Sequence, residues 1–102
     1  MSVILNLSLF PMDKGESVSE YVARAVKVIR DSGLAHLSGP MGTAIEGEWD
    51  EVLALLSDCY RALEPHANRI HIQATFDCRK GPAGRLEAKM ASLRSRIEEG
   101  RY

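Results

Sequence analysis

The residues best suited to chemistry lie between Gly39 and Glu48, in the run Gly-Pro-Met-Gly-Thr-Ala-Ile-Glu-Gly-Glu. Gly39-Pro40 and Met41-Gly42 mark a turn, since Pro40 has no N–H to give a ladder. Thr43 to Glu48 then reads as a short strand with two carboxylates two positions apart. Side chains alternate along a strand, so Glu46 and Glu48 are expected on one face and Thr43, Ile45 and Gly47 on the other. Whatever the protein holds, these carboxylates are expected near it. Elsewhere, His36, His66 and His71 follow no recognisable ligand pattern, and Cys59 and Cys78 stand in no metal or redox spacing. No catalytic or metal residue is assigned. Both cysteines read as reduced thiols, small hydrophobes in or beside the core.

The elements that position this run follow from periodicity. Val3 to Phe10 alternates, with Val3, Leu5, Leu7 and Leu9 on one face and Ile4, Asn6, Ser8 and Phe10 on the other, until Pro11 ends the strand. Ser17-Val18-Ser19-Glu20 has the capping-box form and opens a helix carrying Val18, Tyr21, Val22, Ala25, Val26 and Ile29, which Gly33 stops. Leu34 to Ser38 is a second strand, paired as a hairpin with the third through the turn at Gly39 to Gly42. Trp49-Asp50-Glu51 starts a second helix, its acids favourably placed at the positive end of the dipole, and Pro65 closes it. Its apolar stripe is Val52, Leu55, Leu56, Cys59, Tyr60 and Leu63. Asn68 to Asp77 is a fourth strand, with Ile70, Ile72, Ala74 and Phe76 facing one way and His71, Gln73, Thr75 and Asp77 the other. After Gly81-Pro82 a last helix runs from about Gly84 to Glu99, with Leu86, Met90, Leu93 and Ile97 on one line.

This order, β-α-β-β-α-β plus a terminal helix, predicts an α+β fold, a ferredoxin-like sandwich with an extra C-terminal helix and with the first and third strands central. The 102 residues suit a single domain spanning 1–102 with a modest core. Hydrophobic residues at 45% and charged residues at 26% are globular averages and argue against disorder. A formal net charge of −1 argues against non-specific binding to nucleic acid or an anionic membrane. No run is long enough to span a bilayer, and the first residues lack a signal-peptide pattern, so a cytoplasmic location is expected.

Two helices cover one side of such a sheet. The other side is expected to show Asn6, Ser8, Glu46, Glu48, His71, Gln73 and Thr75, flanked by Ile4 and Phe10. A mixed face of this kind suits a ligand site, a subunit interface, or both. The terminal helix, with one apolar line and a basic remainder (Arg85, Lys89, Arg94, Arg96), is expected to pack at an edge or across a partner subunit.

The run Pro40 to Glu48 resembles the Pro-Met-Gly-Thr-x-Ile-Glu-Gly-(Glu/Asp) signature of the thiamine-binding protein family, small ferredoxin-like proteins. The first strand ending at Pro11, Ser17 to Val22 opening the first helix, and Asp77-x-Arg79 followed by Lys89 are similar to family features, so the resemblance covers nearly the whole chain. It implies a homo-oligomer, dimers paired into tetramers, that binds thiamine or its hydroxymethylpyrimidine part. Two departures stand out. His36 occupies a position where many members carry Tyr, so ligand preference is expected to differ if residue 36 lines the pocket. Lys80-Gly81-Pro82-Ala83-Gly84 replaces a more charged segment.

An aminopyrimidine presents ring-nitrogen acceptors and an amino donor, which suit a carboxylate, amide and hydroxyl set. The expected ligand-binding residues are Asn6, Ser8, Phe10, Thr43, Glu46, Glu48 and Gln73. Glu46 is the first choice as pyrimidine anchor, and Glu46→Gln is expected to weaken binding by at least about 1.5 kcal/mol, the lower range for a charge-assisted bond. Glu48 or the Phe10 ring suits the thiazolium cation. Because Thr43 alternates with the carboxylates, an ideal strand cannot aim all of them into one pocket. No cofactor beyond this ligand, no nucleic acid and no membrane is expected. A regulatory or structural oligomer binding another metabolite or a protein partner is the alternative. A small dimeric enzyme ranks below it, because Phe10-Pro11-Met12-Asp13 offers no phosphate-cradling loop and no nucleophile–base pair is visible.

Overall fold

The computed structural model describes residues 1–16 and 18–100. The elements follow in the order β1 (Ser2–Pro11), α1 (Ser19–Asp31), β2 (Ala35–Gly39), β3 (Gly42–Gly47), α2 (Trp49–Leu63), β4 (Ile70–Arg79) and α3 (Arg85–Glu98). The strands form one antiparallel sheet in the order β2-β3-β1-β4, which leaves β1 and β3 central. This is the expected α+β ferredoxin-like sandwich with its added C-terminal helix.

The alternation of β1 sets the core. Val3, Leu5, Leu7 and Leu9 are buried beneath α1 and α2, joined by Ile45, Ala25, Ile29, Val52, Leu55, Cys59 and Leu63. Register explains the packing, because Leu5 lies between Ile45 on β3 and Phe76 on β4, and so on the same face as both. Each fully buried aliphatic side chain contributes about 1.5–3 kcal/mol. Burial pushes the Cys59 thiol up to about 11, so it behaves as a small hydrophobe. Cys78, by contrast, is exposed on edge strand β4 and lies outside the core. Ile72, on the same edge, is 40% exposed because the helices do not reach over it.

Some features differ from the periodic reading. Helix α1 begins at Ser19 with Val18 at its N-cap and no side-chain cap; the expected box rests on Ser17, which lies outside the described residues. Strand β3 stops at Gly47, and Glu48 is the extended N-cap residue of α2, its N–H donating to Glu51 Oε1 at 2.9 Å. Glu46 and Glu48 therefore do not share a strand face. Helix α3 roots on β1 and β3 and then leaves the body of the domain. The radius of gyration is 15.1 Å, against about 13 Å for a compact chain of this length. Leu93 and Ile97, on its apolar line, are 51% and 52% exposed.

Candidate functional site

The run from Gly39 to Glu48 divides its residues between two places. Its second half builds a clasp for α3. Ile4 sits in register with Glu46 on β3 and Asp77 on β4, so these residues, with Ser2, share the face opposite α1 and α2. The Glu46 carboxylate accepts from Ser2 Oγ at 2.6 Å and from the backbone N–H groups of Gly84, Arg85 and Leu86 at 3.2, 3.0 and 3.4 Å. The first turn of a helix has N–H groups with no partner in its own helix, and Glu46 satisfies those of α3 from another strand. Burial pushes this carboxyl up in pKa, but the bonds from Ser2 and from the backbone at positions 85, 86 and 84 outweigh it and hold the group below its ordinary value.

Arg85 completes the clasp. Its guanidinium donates to Ser2 Oγ at 3.1 Å, to the Ser2 carbonyl at 2.8 Å, to the Asp77 carbonyl at 2.9 Å and to Asp77 Oδ2 at 3.1 Å. Lys89 adds a bond to the same Asp77 oxygen at 2.9 Å. The Lys89 and Arg85 bonds hold the Asp77 carboxyl below its ordinary pKa. Periodicity missed Arg85. The available signal was its sign: a cation in the first turn opposes the helix dipole and must be recovered by specific contacts.

The first half of the run walls a cavity of about 300 Å³ at the other end of β1. The last pair between β1 and β3 is Leu7 with Thr43, and β1 continues to Pro11 past the start of β3 at Gly42. That length mismatch leaves a notch in the sheet. The turn Gly39 to Gly42 borders the notch on one side, and Val22 and Val26 of α1 with its N-cap residue Val18 close it on another. Because no strand fills the notch, residues from both sheet faces reach it: Leu7 and Leu9 from one, Ser8 and Phe10 from the other. Thr43, 4% exposed, lies at its wall with Oγ1 3.3 Å from Ser38 Oγ. Met41, 86% exposed, stands at the rim. None of the described lining residues is charged.

Gly42 holds this corner. Its φ is 152°, and a Cβ there would stand 2.9 Å from the Leu7 carbonyl oxygen. Only glycine brings the turn this close to β1.

Of the expected ligand residues, Thr43, Ser8 and Phe10 come together at the cavity. Phe10 also stacks at 5.2 Å on His71. Asn6 and Gln73 are exposed on the face opposite α1 and α2, with Asn6 Oδ1 beside Gly42. Glu46 lies in the clasp and Glu48 at the start of α2. His36 does not line the cavity; its Nδ1 lies 2.9 Å from the Leu34 carbonyl oxygen on the edge of the sheet.

This small α+β sandwich with a signature-walled notch has known relatives. The sequence profile described as "Thiamine-binding protein" matches residues 5–94. A UPF0045 protein of Synechocystis sp. is 36% identical over 99 residues, covering 96% of this chain and 82% of its own. A UPF0045 protein of Mycobacterium bovis is 36% identical over 94 residues, covering 91% and 92%. Among solved structures, a proposed thiamine biosynthesis or salvage protein of Thermotoga maritima superposes with a TM-score of 0.81 at 26% identity, over 91% of this chain and 99% of that one. The chain belongs to the thiamine-binding protein family.

Proposed function

We propose that this protein binds the pyrimidine end of thiamine, or free hydroxymethylpyrimidine, in the notch beneath the Pro40–Met41 turn, without catalysing a reaction. One observation carries the reading: the cavity is walled by Gly39 to Thr43, the first half of the run that resembles the family signature. The volume is at the low end for small-molecule sites and suits a single ring. An uncharged lining favours the neutral pyrimidine inside, since burying an unpaired cation is costly. The thiazolium of thiamine would stay at the rim, near Met41 and the Phe10 ring.

Calorimetric titration of ligand-stripped protein with thiamine and with hydroxymethylpyrimidine tests this. Micromolar or tighter binding at one site per subunit is expected. Val26→Phe, which fills the notch, should weaken it at least about tenfold in a folded protein. Heat or thermal shift from neither compound would move the function to another metabolite or to a protein partner, as in a regulatory or structural module.

A cytoplasmic homo-oligomer, dimer or tetramer, belongs to the same proposal. Its support is the half-exposed Leu93 and Ile97 on a helix that leaves the domain. Sedimentation velocity should show an assembly, and Leu93→Glu with Ile97→Glu should yield monomers.

A further inference from the structure

The notch contains a recognition element that belongs to no side chain. The Leu7 carbonyl is directed at β3, since a Cβ on Gly42 would stand 2.9 Å from its oxygen and 3.5 Å from its carbon. Backbone groups of a strand point to alternate sides with period two, so the N–H and C=O of Leu9 point the same way as those of Leu7. At Leu7 they meet Thr43; at Leu9 no β3 residue stands opposite, because β3 begins at Gly42. The even-numbered neighbours turn theirs to β4, where Ser8 pairs with Gln73 and Phe10 with His71. Leu9 is only 6% exposed and lines the cavity. A donor and an acceptor therefore lie side by side in a largely buried, uncharged notch, where leaving them unpaired is unfavourable.

We infer that the Leu9 backbone edge reads the ligand, pairing its N–H with a ring nitrogen and its C=O with the adjacent amino group of a neutral amino-substituted heterocycle. The geometry is that of strand addition, with one flat ring in place of a strand. This rests on the proposed pyrimidine binding and deepens it, because it fixes which edge of the ring faces inward and in which protonation state. A proton on either ring nitrogen would place a cation in the uncharged notch and weaken the nitrogen that accepts from the N–H. Affinity therefore falls as pH drops below the pKa of the free ring, the reverse of what a carboxylate anchor would give. The Ser38 and Thr43 hydroxyls, 3.3 Å apart, are placed for a further polar substituent such as a hydroxymethyl group.

The test is a titration of ¹⁵N-labelled protein with 4-amino-5-hydroxymethyl-2-methylpyrimidine and with the analogue carrying methyl in place of the amino group. The Leu9 amide should be among the largest movers, with its hydrogen exchange slowed. The methyl analogue should bind at least about tenfold more weakly, the worth of one buried hydrogen bond left unmade. Binding with the Leu9 amide unmoved, or equal affinity for the two compounds, overturns the inference while leaving the pyrimidine reading intact. Binding of neither compound overturns both.

Discussion

The two halves of one short run do opposite things. Thr43 and Gly42 still meet β1, but from Met41 back to Gly39 the chain has no partner there and leaves space, bordered by hydroxyls, backbone and apolar side chains. From Ala44 to Gly47 it pairs fully with β1 and spends its one buried carboxylate on a helix that follows β4. Alternation explains why both can lie in nine residues: Thr43 and Ile45 face the helix layer, and Glu46 faces the other way. The run is thus shared between a cavity wall and architecture, and its most chemically suggestive residue, Glu46, falls on the architectural side.

That division can be broken at either end. The largest effect is expected from Glu46→Ala, which strips the first turn of α3 of its acceptor and leaves only the Arg85 and Lys89 side-chain bonds to Ser2 and Asp77 to hold the helix. We expect a stability loss of roughly 2–4 kcal/mol with loss of helical signal. Pyrimidine affinity should change less than about twofold, because the notch is a distant site. Equal damage to stability and affinity would show that the two halves are coupled. Denaturant unfolding followed by circular dichroism, beside calorimetry, separates these outcomes.

Much of the fold was legible beforehand. The odd residues of β1 met the helices as their period required, and Ile45 joined them. The clasp was not legible, because Glu46 and Arg85 are 39 positions apart and nothing local links them. The separation of Glu46 from Glu48 was hidden for a different reason. An alternating pattern does not announce where a strand yields to a helix, and Gly47 with Glu48 extends the pattern while ending the strand. The notch depends on β1 outrunning β3, a property of register rather than of either sequence alone.

Gly42→Ala attacks the other half. Forcing a Cβ toward the Leu7 carbonyl at a φ of 152° should cost about 1–3 kcal/mol and distort the notch wall. Binding should weaken while α3 stays docked, the mirror image of Glu46→Ala. The smallest effect is the acid response. Glu46 and Asp77 both titrate below their ordinary values when folded, so their contribution is fully present above about pH 4.5, the ordinary value for Glu, and is lost as pH falls through the lower folded values. Far-ultraviolet dichroism should show helix loss in that window, and Glu46→Gln should flatten it.

The clasp also sets an order of events. Ser2, Glu46 and Asp77 come from three neighbouring strands, and Arg85 reaches back 83 positions to Ser2. Apart from the local bonds of Arg85 and Lys89 to Asp77, the cluster forms only once β1 has found both β3 and β4, so α3 gains its full seat after the slowest, most non-local pairings are complete. On unfolding, the sequence reverses. Helix α3 is the unit that opens first, and its amides should exchange with solvent well before those of β1, while the sheet and its notch are still whole.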